Sequence, residues 1–452
     1  MTKSSKRLWG RFLFQDRGIV PSKRLLLIFV LLTIALLAGT RWGLSWSYII
    51  AVDVVVFLIS LFDLLLSPRK KQLFFKRSLP AETERGLPYS VQLELHNGSD
   101  LPLHFCLYDG IPQSFSRPFP LTGFMEKESA MEISYETSAS ERGQYKIETL
   151  YIRYRSFIGL WEKQTAVPLP DIVKVIPDLT ETKQYLENAQ QFLLYEGVKI
   201  RRNQRGVGDF AKVRNYVVGD DPRKINWRQT AKLQEVMTNE YEPEHGKYMT
   251  ILIDCGRMMG VELKKGNRLE KVLEASITVA AAALQKGDYV AVLAFSKEIK
   301  VYVPPAKGMA HLQTILQAIY NIQVDAAESN YAAVLQYLEM AQKKRSLLLL
   351  FSDVRTFLHE EATLSYLKRL RQKHMFLMIG IEDLTLTSRT KAEPGDVQKA
   401  MVKSIAQQQV LIKKRQKVKW EKQGLQMIEA REEQLAVAAV SSYIQIMNQN
   451  LL

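Results

Sequence analysis

Met249-Thr-Ile-Leu-Ile-Asp254 is a short apolar run that ends in a carboxylate, and three runs of the same kind follow it. They are DYVAVLAFS over Asp288–Ser296, LLLLFSD over Leu347–Asp353 and MFLMIGI over Met375–Ile381. Runs this short and this uniformly apolar read as strands buried on both faces. The segments between them have helical spacing. Asn267, with Glu270 three residues on, marks a helix start, and Leu269, Val272, Leu273, Ser276, Val279, Ala280 and Ala283 hold one face. Further helices are expected near Met309–Tyr320, near Asn330–Lys343 and up to Gln372. This alternation predicts a parallel sheet covered on both faces. Sites in such sheets lie beyond the carboxyl ends of the strands. Asp254 and Asp353 both fall there, and two acids on neighbouring strand ends can hold a hard cation such as magnesium. The structural alternative is that they cap helices or bond loop backbone.

Beyond the last of these strands, Lys391–Lys422 is strongly basic, with KKRQKVKWEK at Lys413–Lys422, and reads as a helix ending near Gly424. Gln426-Met427-Ile428 can add a short strand, and Arg431–Asn448 an amphipathic closing helix. Upstream, from Leu79 to Asp178, the period changes to two. SVQLELHN (Ser90–Asn97), LHFCLYD (Leu103–Asp109), MEISYET (Met131–Thr137), YIRYRSF (Tyr151–Phe157) and DIVKVIP (Asp171–Pro177) alternate between turn signals. They predict a small antiparallel sandwich, a spacer or binding platform with no catalytic constellation.

Nearer the start are two apolar runs. Leu25–Thr40 carries no charge and is bracketed by Arg24 and Arg41; Leu44–Leu66 follows, with Trp46 and Tyr48 near one end. Sixteen residues span ~24 Å as a helix, short of the ~30 Å hydrocarbon core, a deficit that snorkelling arginines or a thinned bilayer would cover. Lys3, Lys6, Arg7, Arg11, Arg17, Lys23 and Arg24 precede the runs, and Arg69, Lys70, Lys71, Lys76 and Arg77 follow them. Their connection carries only Arg41, so the positive-inside rule predicts a transmembrane hairpin with both termini in the cytoplasm. Asp53 and Asp63 lie inside the second run, ~80° apart around a helix; they read either as functional carboxylates sharing one broad face or, the preferred reading, as interfacial residues, Asp63 at the cytoplasmic end and Asp53 at the outer one.

The 452 residues include 62 Lys+Arg against 47 Asp+Glu, a formal charge of +15. That excess is compatible with nucleic acid, anionic lipid or an acidic protein. Cys106 and Cys255 form no zinc or disulfide spacing. There is no phosphate loop, His-Glu-x-x-His or Gly-x-Ser-x-Gly, and the six histidines are scattered. These absences lower the expectation of hydrolytic or redox chemistry.

Gly208–Glu244 reads GDFAKVRNYVVGDDPRKINWRQTAKLQEVMTNEYEPE. Arg214, Tyr216, Gly219, Asp220, Arg223, Ile225, Trp227, Arg228, Thr230 and Ala231 resemble, in order, the signature of the bacterial family called domain of unknown function 58. Gly219 permits a tight turn, Asp220 can cap or pair with an arginine, and Trp227 reads as an apolar anchor. Together they predict a strap packed on the α/β domain. From Gly197 to Lys232 there are ten basic and three acidic residues, which suits either an anionic partner or internal ion pairs. One departure from the family is Ser156-Phe157-Ile158-Gly159-Leu160, where members often have Asp-Pro-Phe-Gly-Leu.

The α/β domain itself resembles a von Willebrand factor A domain. Its adhesion-type metal site, Asp-x-Ser-x-Ser with a Thr and an Asp from other loops, implies Asp254, Ser329 and Asp353 as metal ligands here. Gly256 and Met258 stand at the two Ser positions, so the site is degraded. The expected order is therefore a basic N-terminus (1–23), the hairpin (24–66) and a β-sandwich (72–178). A linker with the signature strap (179–246) and the A-like domain with its C-terminal helices (247–452) complete it. The resemblance implies a non-enzymatic membrane-anchored scaffold at the bacterial inner membrane, associated with a MoxR-type AAA+ ATPase in complex assembly or envelope processes. No cofactor is expected. The alternative is a magnesium-dependent enzyme acting on phosphate-bearing substrates.

Overall fold

Alternation decides the first half of the chain and uniform burial the second. The computed structural model describes residues 18–39, 41, 45–196, 209–242, 246–264, 266–359 and 361–448. The cations before Gly18, and the 197–208 part of the basic stretch, lie outside that set. The chain divides into Met1–Ile176 and Pro177–Leu452.

The first unit contains the helices α1 (Lys23–Gly39) and α2 (Trp46–Leu65). Among the described residues, one helix, counted over Trp46–Gln72, is long and apolar enough to cross a membrane. The 17 residues of α1 rise ~26 Å, less than the ~30 Å core.

After the helices come β2 (Leu73–Ser78), β3 (Glu82–Glu84), β4 (Tyr89–Asn97), β5 (Leu103–Asp109), β6 (Leu121–Met125), β7 (Ala130–Thr137), β8 (Gly143–Arg155) and β9 (Trp161–Ile176). A three-residue strand, β1 (Ile19–Pro21), precedes α1. One sheet runs β1-β9-β8-β5-β6 with β3 on β9; the other runs β2-β4-β7. Val91, Leu93 and Leu95 of β4 and Leu103, Phe105 and Leu107 of β5 are buried, as their spacing predicts. The expected strands at Tyr151–Phe157 and Asp171–Pro177 are the ends of the much longer β8 and β9. Pro168 and Pro170 hide the first half of β9 from a period-two reading.

A buried arginine ties the two sheets. Arg77 of β2 donates from Nε and NH2 to Asp109 of β5 (3.0 and 2.5 Å), and from NH1 to Asp171 of β9 (2.9 Å). Tyr135 of β7 donates to the same Asp109 at 2.6 Å.

Asp63 is not left to solvent. It is 2% exposed and takes Leu160 N (2.7 Å), Trp161 N (3.2 Å) and the Ser156 hydroxyl, so charge-assisted bonds replace water around it. Trp161 donates from Nε1 to Ser60 at 3.3 Å and lies edge-on to Phe57. Phe57, Ser60 and Asp63 thus form one i, i+3, i+6 face against the sandwich. Asp53, by contrast, has a buried Oδ1 with no hydrogen-bond partner among the described residues.

In the second unit, α3 (Thr180–Glu196) occupies the start of the expected linker. A two-stranded hairpin, β10 (Asp209–Asn215) with β11 (Met237–Glu242), encloses α4 (Trp227–Leu233). The main sheet follows: β12 (Tyr248–Asp254), β13 (Tyr289–Phe295), β14 (Ile299–Ala306), β15 (Ser346–Phe351), β16 (Met375–Ile381) and β17 (Gln426–Ala430), in the order β14-β13-β12-β15-β16-β17. All neighbours are parallel except β13 and β14. The unforeseen β14 is an antiparallel edge strand, a position in which Pro304 and Pro305 can be accommodated.

Asn267 caps α5 (Arg268–Gln285) by accepting from Glu270 N at 3.0 Å. Next come α6 (Ala310–Ile319), α7 (Tyr331–Ala341), α8 (Val354–His359), α9 (Glu361–Lys373) and α10 (Leu384–Lys391). The chain closes with α11 (Val397–Lys422) and α12 (Leu435–Asn448). Nearly all of α5 is buried, packed with the sheet, α3 and α12. The basic α11 buries Ala406 and, at its end, Trp420, whose ring lies 5.0 Å from Phe357.

Candidate functional site

Parallel pairing of β12 with β15 brings Asp254, the last residue of β12, beside Ser352 and Asp353, just past β15. Asp254 is 2% exposed. Its Oδ1 accepts from Gly256 N (2.8 Å) and from the Ser329 hydroxyl; its Oδ2 accepts from Tyr331 (2.9 Å) and Ser352 (2.5 Å). Four neutral donors therefore fill both oxygens. Burial, then the Asp254 charge, pushes the Tyr331 phenol well above its ordinary range, so it stays a donor.

Asp353 has a different partner. Arg268, the first residue of α5, donates to its Oδ1 at 2.6 Å, and both groups are buried. Its Oδ2 accepts from the N (3.0 Å) and Oγ1 (2.8 Å) of Thr356, capping α8. The Asp254 cleft encloses about 380 Å³ and is rimmed by Arg257, Met258, Glu328 and Arg355. Sequence reasoning missed Asp325 nearby. Its carboxyl is held down to about 2, first by the Ser296 hydroxyl (2.8 Å), then by Lys300 (3.0 Å) and Ala327 N.

A hard cation does not fit this donor set. Four donors already occupy the Asp254 oxygens, the Arg268 guanidinium supplies the charge facing Asp353, and Gly256 and Met258 offer no side-chain oxygen. A Cβ added at Gly256 would lie 2.1 Å from Ser329 Oγ, so Ser329 already fills the space of a side chain there. Of the predicted metal set, Asp254 and Ser329 meet directly, while Asp353 is turned to Arg268 and its own helix.

The signature residues lie apart from this cleft in sequence and form a self-contained turn. Arg214 grips Asp220 with two 2.8 Å bonds. Asp220 Oδ2 also accepts from Val217 N (3.0 Å), and its carbonyl accepts from Tyr216 OH (3.2 Å). Gly219 has φ +110°, a conformation that side chains resist. Asp221 accepts from Arg223 N at 3.0 Å, and Asn226 caps α4.

The expected packed strap is not what forms. Trp227 is 70% exposed and Val218 96%, with Val217, Leu233 and Val236 also outward; Arg223 and Arg228 are exposed beside them. The hairpin buries Met237 and Thr238 in place of Trp227.

This is a mixed α/β chain with a β-sandwich, a short signature hairpin and a mainly parallel sheet. Residues 212–418 match the family described as "Protein of unknown function DUF58". The uncharacterised protein YeaD of Bacillus subtilis (strain 168) is 26% identical over 206 residues, 45% of this chain and 49% of YeaD. The chain thus spans about half the length of that curated relative. The crystal structure of the conserved hypothetical protein BatB from Bacteroides thetaiotaomicron is 14% identical, covering 45% of this chain and 100% of that one, with a TM-score of 0.32. A PapD-like domain of human CEP192 is 13% identical, covering 24% of this chain and 88% of that one, with a TM-score of 0.18.

Proposed function

We propose that the protein is a non-enzymatic docking scaffold, held at the bacterial inner membrane by α1 and α2 as a hairpin with both termini cytoplasmic, and carrying a von Willebrand factor A-like module. The observation that carries this reading is the signature patch. Arg214 and Asp220 pair within the turn, yet the hairpin leaves Trp227, Val217, Val218, Leu233 and Val236 outward, with Arg223 and Arg228 also exposed. An exposed aromatic with exposed aliphatics and arginines on one short hairpin has the composition of a protein-binding hot spot. The partner class that the family resemblance implies is a MoxR-type AAA+ ATPase. Two features support the hairpin: the near ends of both helices bond to one sandwich loop, and exposed cations follow α2 at Arg69, Lys70 and Lys71. The cleft at Asp254 supports docking over chemistry, since its carboxylates are already engaged.

Photocrosslinking from position 228 in native membranes tests the scaffold reading. One defined protein partner is expected, lost on Trp227→Ala; recovery of none would overturn it. The magnesium-enzyme alternative predicts a magnesium-dependent rise in thermal midpoint that Asp254→Ala abolishes, and the scaffold reading predicts no such rise.

A further inference from the structure

The loop between β8 and β9, Ser156–Leu160, is bonded to both helix ends at once. Asp63, in the last turn of α2, takes Ser156, Leu160 N and Trp161 N. At the first turn of α1, Ser22 N donates to Leu160 O (2.9 Å) and Arg24 NH1 donates to Ile158 O (3.3 Å). The 20 residues of α2 rise ~30 Å, the thickness of a hydrocarbon core, so its last turn falls at the core's edge if it spans. The loop is fixed at that same level.

Despite this firm hold, Phe157 is 68% and Ile158 49% exposed. They extend the outward apolar surface of the last helical turn, where Phe62 is 62% and Leu65 73% exposed. Arg24, exposed, bonds to the loop and Arg155 lies half-buried at its base, while exposed Lys23 and Arg69 flank the two helix ends that hold it. Glu162, opposite Arg155 in the β8–β9 register, is the acid facing this group. His104, stacked on Phe157, is pulled below its ordinary range by burial and then by Arg155 and Arg24, which marks the local field as positive.

We propose that this loop seats the β-sandwich on an anionic bilayer, with Phe157 and Ile158 in the headgroup–acyl boundary and Arg24 and Arg155 on lipid phosphates. The occupant is lipid because the apolar pair is continuous with α2, and cations at that depth match anionic headgroups. The inference rests on the reading that α2 spans the membrane.

The test uses the full chain, with Cys106→Ser, in vesicles of phosphatidylcholine and phosphatidylglycerol. It carries one nitroxide at a time, on Leu58→Cys, Phe157→Cys, Ile158→Cys or Gln144→Cys. Gln144 lies eleven residues along β8 from Arg155, ~36 Å away, and serves as the aqueous control. The expected result is oxygen-dominated relaxation at 58, and a several-fold drop in aqueous nickel-complex accessibility at 157 and 158 relative to 144. Omitting phosphatidylglycerol, or combining Arg24→Gln with Arg155→Gln, should reverse much of that protection. A lipid-buried label at 58 with 157 and 158 as wet as 144 overturns the seating. So does protection that grows with the protein-to-lipid ratio, because a second copy would then be the cover. A water-exposed label at 58 overturns the membrane reading itself.

Discussion

Arg77 with Asp109 and Arg214 with Asp220 are the same two-bond pair used for opposite ends. The first has both side chains fully buried, and the second leaves 28% and 22% exposed. In the sandwich the pair is reached across 32 residues and binds strands of two sheets, so it holds the fold. In the signature hairpin the partners are six residues apart, and the pair shapes one turn. Burial decides which job the chemistry does. A buried charge that loses its partner is stranded in low dielectric, while a half-exposed one is resolvated.

The strongest attack on this contrast is Arg77→Met. It strips Asp109 and Asp171 of their cation and should cost about 3–5 kcal/mol by chemical denaturation; a loss near zero would erase the distinction. Almost as large, ~3 kcal/mol, is the expected effect of Asp353→Asn, which leaves the buried Arg268 without a charge partner. Combining it with Arg268→Met should recover part of the loss, and a double-mutant cycle measures how much.

A medium effect concerns His374, whose ring bonds Ser346 at 2.9 Å. Burial, then Lys373 and Arg345, lowers it from 6.5 to about 4. The unfolded chain therefore binds the extra proton first. This contribution to stability is present above about pH 6.5 and is lost as pH falls toward about 4. His374→Asn should flatten that part of a thermal-midpoint–pH curve. Smallest are Asp220→Ala, within ~1 kcal/mol of the parent, and Trp227→Ala, within ~0.5 kcal/mol. Either should nonetheless abolish the crosslink from position 228, separating stability from docking.

What could be read in advance followed locality. MFLMIGI is β16 residue for residue, and Asn267 caps its helix, because each signal lies within a few neighbouring residues. The strand-end location of Asp254 and Asp353 was legible for the same reason. Their partners were not. Arg268 meets Asp353 across 85 residues and Ser352 meets Asp254 across 98, and no local pattern announces such pairs. Asp325 escaped because its meaning comes from Ser296 and Lys300 on another strand and its turn. Trp227 was misread by the general rule that large aromatics go inside, a rule that fails where a small hairpin is sealed by Met237 and its own hydrogen bonds.

The interlock of Gly256 with Ser329 also constrains how this cleft can change. A lone Gly256→Ser drives a new carbon into a hydroxyl, so it is a collision before it is a ligand. A lone Ser329→Ala removes a donor from Asp254 and opens a gap with nothing to fill it. Each step is unfavourable by itself and sensible only with the other, so the two sites are expected to change as a couple, and an engineer wishing to install an ion here must move both at once.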